Sequence, residues 1–234
     1  MALPKLNDTP KYSLTIPSTK EKIKFRPYLV KEEKVLMMAF ESRDQRQTLN
    51  AIVDTLSACI QEEIDTSTLT TFDIEYMFTQ IRSKSVGESS TINLKCSSCS
   101  KANEVTIDVS SAVVDIPDVK NIIEITPSIL VEMQYPSYRN LLQTDLDGEE
   151  LEVGFEMVMN CIKAIHTEEE RIETSDVSRE EVREFVESMT QSQFKLISDY
   201  LSDLPSLKKE VEFVCNHCGE ENQVVLKGMS DFLS

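Results

Sequence analysis

Four of the chain's six cysteines come in two pairs with the same spacing, Cys96 with Cys99 in LKCSSCSKANEV and Cys215 with Cys218 in FVCNHCGEENQVVL. Two residues between two thiolates is the spacing of a tight turn that lets both sulfurs converge on one cation. Alternating sequence runs into the first cysteine of each pair, and a β-branched strand returns after a short polar turn. Each pair therefore reads as a zinc knuckle, and each carries an asparagine four residues past its second cysteine, Asn103 and Asn222. One knuckle offers two ligands, whereas a closed structural zinc site needs four. Both histidines, His166 and His217, lie in the second half of the chain. The economical solution joins Cys96, Cys99, Cys215 and Cys218 around one structural zinc per chain. A redox dithiol is the competing chemistry, but such a pair normally opens a helix whose N-terminus lowers the thiol pKa, and both pairs here follow strands. Knuckles that keep the turn without the metal are the remaining alternative. His217, inside CNHC, reads as an exposed turn residue, with a substitute ligand as its sharper alternative.

Other constellations offer no catalysis. Cys59 and Cys161 lie on or beside apolar helical stripes and read as core residues. His166 follows such a stripe and is expected at a helix C-terminus, facing the dipole. Two histidines support no nucleophile–base pair, and five glycines form no phosphate-cradling loop. Acidic runs such as Glu149–Glu150 and Glu168–Glu170 read as solvated surface. Four thiolates would also close the position that a hydrolytic zinc leaves open for water. The reading is a non-enzyme with no catalytic residue and no small-molecule substrate.

Charge narrows the partners. With 41 acidic and 24 basic side chains the chain carries −17 at pH 7, which repels nucleic-acid phosphates and anionic lipid. Such a balance serves solubility or draws a basic protein partner. The knuckle turns are poor in basic residues, which weighs against the alternative function, a zinc-ribbon nucleic-acid-associated regulator. No apolar run nears the roughly 18 residues a bilayer span requires, and MALPKLNDTPKY lacks a signal-peptide core. A reducing cytoplasm is expected, where paired cysteines favour metal over disulfides.

The elements that must carry the knuckles recur in order. YSLTI (Tyr12 to Ile16) with IKF, and IIEIT (Ile122 to Thr126) with ILVEMQY, read as hairpins, each ending at a proline, Pro27 or Pro136. Helical sequence follows both: Lys31 to Ser42, apolar through its middle and expected to be buried, and then the stripes Leu49, Ile52, Val53, Leu56 and Phe155, Val158, Met159, Ile162. Thr70 with Asp73, Ser178 with Glu181 and Thr190 with Gln193 mark helix starts. Ile74, Met77, Phe78 and Ile81 form one buried face, and Val182, Phe185, Val186 and Met189 another. Thr167 to Asp176 reads as an inserted acidic loop. The expected fold is α+β: a helical core with short antiparallel hairpins, an internal pseudo-twofold duplication and a zinc-knuckle pair. Residues 1–234 are expected to form one compact unit, with repeat-like halves 11–110 and 121–228 packed together.

Several of these stretches carry a resemblance. LPKLNDTPKYSLTIPSTKEKIKFRPYLVKEEKVLMMAFES, TFDIEYMFTQIRSKSVGE, the knuckle LKCSSCSKANEV, VEMQYPSY and VEFVCNHCGEENQVVLKGMSDFL resemble the baseplate hub assembly proteins of T4-like contractile-tailed bacteriophages. The resemblance implies a late phage protein that helps to build the tail baseplate hub and has other hub proteins as partners. It would act in the host cytoplasm during assembly, and stand in the virion tail baseplate if retained. Phe25, Pro27 and Tyr28 precede a helix and read as core, a docking edge being the alternative; no residue is assigned to partner binding.

Overall fold

The computed structural model describes residues 9–42, 44–118, 120–145 and 148–233. The chain, read above as one compact piece, divides into two compact units. The first takes the chain up to Asp115 and again from Ser206, and the second takes Ile116–Pro205. These are not the halves 11–110 and 121–228, because both cysteine hairpins belong to the first unit.

The first unit opens with the antiparallel hairpin β1 (Tyr12–Thr15) and β2 (Lys22–Phe25). Helices α1 (Val30–Ser42), α2 (Gln45–Cys59) and α3 (Thr71–Val86) follow. The centre is α3, whose Phe72, Ile74, Met77, Phe78 and Ile81 are buried. Each such side chain contributes about 1.5–3 kcal/mol through burial. A capping box of Thr70 and Asp73 starts this helix. The Asp73 carboxylate also accepts the Ser18 backbone N–H at 2.9 Å, so the cap ties the first hairpin's turn to α3. Phe25 is buried, as expected of a core residue.

The expectation for α1 was wrong. Its inward stripe is Glu32, Leu36 and Ala39, whereas Val35, Met37 and Met38 are 49%, 57% and 62% exposed. Adjacent helical residues point about 100° apart, so a continuous apolar run cannot share one face. Packing of α1 is chiefly against α2, which covers only that stripe.

After α3 come β3 (Ser89–Lys95), β4 (Ala102–Asp108) and the short β5 (Val113–Asp115). The second unit begins with β6 (Ile122–Thr126) and β7 (Ile129–Met133), then α4 (Tyr138–Gln143) and α5 (Glu150–Cys161). It continues with β8 (Ile162–His166), β9 (Arg171–Glu173), α6 (Arg179–Glu187) and α7 (Gln191–Ser202). Strands β6–β9 form one four-stranded sheet in chain order, each antiparallel to the next. Val131, Met133, Val158, Met159, Ile162 and Ile197 make its core.

Three expectations fail in this unit. The stripe through Phe155 and Met159 ends with the helix at Cys161, and Ile162 opens β8. The acidic stretch after His166 contains β9 and is not all loop. Ile162 and Ala164 alternate inward against exposed Lys163, and four residues of helical period look the same as a helix running into a strand. His166 accordingly stands on β8, not at a helix end. Its Nε2 lies 3.0 Å from Glu132 Oε2 on β7, and Lys163 and Arg171 bind the same carboxylate.

The chain returns to the first unit as β10 (Ser206–Val214), β11 (Glu221–Lys227) and α8 (Ser230–Leu233). β10 pairs antiparallel with both β11 and β5. Ile92, Ile107, Leu207, Leu226 and Phe232 form the apolar cluster beneath the two cysteine hairpins. Among the described residues no helix is long and apolar enough to cross a membrane.

Candidate metal centre

Strand pairing delivers the four cysteines. β3–β4 closes at Lys95 opposite Ala102, and β10–β11 closes at Val214 opposite Glu221. In the first turn Cys96 N–H donates to Lys101 O at 3.0 Å, and Ser100 N–H donates to Cys96 O at 2.9 Å. In the second, Cys215 N–H donates to Glu220 O at 2.8 Å, and Gly219 N–H donates to Cys215 O at 2.9 Å. The residue after each second cysteine is left-handed, with φ 57° at Ser100 and 75° at Gly219. Glycine takes that conformation freely, whereas a residue with a Cβ accepts a cost of about 1–2 kcal/mol.

The two turns meet. Each cysteine can place its sulfur so that all four lie within 4.8 Å of one another. The closest pairs run between hairpins, Cys96 to Cys218 at 3.6 Å and Cys99 to Cys215 at 3.7 Å. A disulfide would require about 2.0 Å. A tetrahedral ion with sulfurs at about 2.3 Å sets their mutual separation near 3.8 Å. The four-sulfur cage therefore has the size such an ion needs. Cys96 and Cys215 are buried, Cys99 is half-buried and Cys218 exposed.

Asn103 and Asn222, noted in the sequence only as a shared spacing, hold the turns to each other. Asn222 Oδ1 accepts the Ser97 backbone N–H at 2.8 Å and the Ser97 hydroxyl at 2.9 Å. Asn103 Oδ1 accepts the Asn216 backbone N–H at 2.8 Å. Each amide thus reaches from its own return strand to the residue after the other hairpin's first cysteine. Their Nδ2 groups donate home, to Lys101 O at 3.0 Å and Glu220 O at 2.9 Å. Asn222 Nδ2 also donates to Cys96 Sγ at 3.6 Å. An asparagine at the same offset in two hairpins was the available signal; its role depends on a contact that spacing alone does not reveal.

The electrostatics suit a cation. The Cys99 backbone N–H, ahead of weaker donors, lowers the Cys96 thiol pKa. Burial pushes Cys215 up, but the His217 and Cys218 N–H groups and further bonds outweigh it and bring it down to about 6. At Cys218 the Glu220 N–H favours the thiolate, yet burial and the sulfurs of Cys99, Cys215 and Cys96 push it up to about 12. Like charges this close cannot all ionise on their own. A divalent cation at their centre reverses that repulsion.

His217 is exposed, and the cluster of candidate ligands consists of four cysteines. Its backbone N–H donates to Cys215 Sγ at 3.4 Å, so its place is the turn. Cys59 and Cys161 are buried, as expected, Cys59 with Arg26 Nη1 3.8 Å from its sulfur. Burial raises their pKa values to about 11 and about 12.

The chain matches the family model "T4 bacteriophage base plate protein" over residues 9–234. The chain belongs to this family. Baseplate hub assembly protein gp26 of Enterobacteria phage T4 is 25% identical to it over 119 residues, covering 42% of this chain and 57% of that protein. The base plate family chain thus spans a little over half the length of the curated relative it matches. No solved structure matches it. The phage resemblance read from the sequence is therefore correct.

Proposed function

We propose that this base plate family protein is a non-enzymatic assembly protein of the tail baseplate hub, acting through contacts with other hub proteins. It binds one structural zinc through Cys96, Cys99, Cys215 and Cys218. The observation that carries the metal reading is the meeting of four sulfurs from hairpins more than a hundred residues apart in sequence. The family match carries the assembly reading. When bound, the zinc supplies a cross-link whose binding energy is folding energy, and four thiolates leave no position for a substrate or activated water. The protein's residues do the rest: N–H groups of the turns stabilise the thiolates, and Asn103 and Asn222 fix the hairpins on each other. The two hairpins arise from an internal duplication about a pseudo-twofold axis. A constant offset of 119 residues supports this, relating Ile92 to Val211, Asn103 to Asn222 and Ile107 to Leu226. The protein takes no nucleic acid, membrane or small-molecule substrate, and works in the host cytoplasm during assembly.

Two measurements test these readings. Purified protein should carry about one zinc per chain, and Cys96→Ser should destabilise the whole first unit. A protein without metal whose four thiols all react freely while folded would sink the zinc reading. Affinity purification from infected cells should recover hub proteins, and virion proteomics then separates a retained component from a transient factor. Recovery of nucleic acid with strongly salt-dependent affinity, and of no tail protein, would replace hub assembly with a nucleic-acid role.

A further inference from the structure

The second unit has an open apolar groove of about 780 Å³ between α5, α6 and α7. Leu151, Gly154, Phe155 and Val158 line it from α5, and Phe194 and Leu201 from α7. The four α5 residues follow the spacing i, i+3, i+4, i+7 of a single helical face. That face is only partly used. Phe155 stacks on Phe194 with ring centroids 5.5 Å apart, whereas Leu151 is 84% exposed.

Gly154 adds a separate observation. Glycine is the poorest interior helix residue short of proline, and Gly154 lies in the middle of α5 with ordinary helical geometry. Apart from its chain neighbours and the backbone of its own helix, no described atom lies within 4 Å of where its Cβ would stand. Nothing inside the unit therefore requires a glycine there. A bare backbone on an exposed apolar stripe does permit another helix to approach closely.

Charge chooses the visitor. The three helices carry eight acidic and three basic side chains. All three cations are already engaged: Arg183 by Glu152 and Glu156, Arg179 by Glu156, and Lys195 by Asp199. Glu152 and Glu187 stand at the groove itself with Arg183, which pairs with both, so the lining keeps one net negative charge within the acidic surround of the three helices. A second copy of a chain carrying −17 would meet like charge.

We propose that this groove docks an amphipathic helix of a partner protein, apolar on one face, with a small residue seated over Gly154 and basic residues along its flanks. Leu151 to Val158 spans about 10 Å, so about two turns of partner helix cover the site. The inference rests on the reading that the protein acts through protein contacts.

Its test uses the full chain and three synthetic helical peptides sharing one Leu/Ala stripe, with lysine, glutamate or glutamine on the flanks, titrated by calorimetry at several salt concentrations. The lysine peptide should bind, weaken as salt rises, and lose at least about tenfold in affinity against Gly154→Gln. Leu151→Asn should weaken it as well. Both sites are exposed, so neither variant should melt below the wild type, and Gly154→Gln should melt slightly above it because glutamine is the better helix former. No binding of the lysine peptide, equal binding of the glutamate peptide, or indifference to Gly154→Gln would overturn the proposal. So would self-association of the wild type that Gly154→Gln abolishes, since a second copy would then be the occupant. Failure to recover hub proteins from infected cells would instead sink the assembly reading and leave the peptide result standing.

Discussion

Replacing Asn222 by alanine tests the proposed lock between the hairpins. The substitution removes the acceptor of the Ser97 N–H at 2.8 Å and the donor to Glu220 O at 2.9 Å. It also removes the longer bond to Cys96 Sγ at 3.6 Å. Two good bonds at about 1 kcal/mol net each give a loss of about 2 kcal/mol, or about 30-fold in zinc affinity. That falls within the roughly 10–100-fold effect of groups that orient metal ligands. Ser97 is exposed, so water can take over part of its bonding and the loss should not exceed this range. Asn103→Ala should cost somewhat less, because Asn103 accepts a backbone N–H from Asn216 while Asn222 accepts a hydroxyl as well. Competition against a chromophoric zinc chelator at fixed pH reads both affinities. Asn93→Ala, on an exposed position of β3, is the control. If both asparagine variants keep zinc within about twofold of wild type, or if Asn93→Ala loses as much, the crossed amides do not hold the site.

Three further outcomes follow from other parts of the molecule. Glu75 on α3 has its pKa raised by burial, partly offset by N–H bonds from Met229 and Leu207. Its stabilisation is then complete below the ordinary carboxylate range and is lost as pH rises through the folded value. Urea unfolding of zinc-loaded protein should show the wild type losing ground to Glu75→Gln as pH rises; a difference growing in the opposite sense would refute this. Glu132 is the reverse case, held down to about 2 by Lys163, Arg171 and His166. Its contribution is present above the ordinary carboxylate range and fades towards pH 2, so Glu132→Gln should be less stable than wild type at neutral pH, and melting curves should converge in acid. Finally, Asp115 and Ser206 are strand partners, so replacing residues 116–205 with an Asn-Gly turn should leave a first unit that unfolds cooperatively and binds one zinc.

What the sequence disclosed was local. Thr70 with Asp73, Ser178 with Glu181 and Thr190 with Gln193 all form reciprocal capping boxes, because a cap is settled within four residues. The cysteine hairpins were legible for the same reason, and so was the buried face of α3. What escaped depends on neighbours distant in the chain. Which side of α1 is inward is decided by α2. Glu132 on β7 gathers Lys163, His166 and Arg171 from β8 and β9, and no periodicity within the acidic stretch announces that sheet. The asparagines were visible as a coincidence of spacing, but each acts in the other hairpin, so neither hairpin explains its own asparagine.

The least visible element, the three-residue β5, bears most directly on the metal site. Val113, Val114 and Asp115 pair with Lys208, Leu207 and Ser206, and Lys208 lies 3.5 Å from Asp115. This pairing returns the chain to the first unit at the point where the second unit ends. Without it, bringing Cys215 to Cys99 closes a loop of about 116 residues; with it, the path along paired strands is about 25. Loop-closure cost rises by about 0.6 kcal/mol per doubling, so two doublings are worth about 1.2 kcal/mol. The strand pairing thus bears much of the closure cost before the cysteines meet, leaving less of it to the site itself. It also gives the two cysteine hairpins different supports. The first cysteine hairpin follows directly from its helix, while the second is captured by β5 and held in the first unit's sheet. The rest of the second half is left to build its own sheet, core and groove.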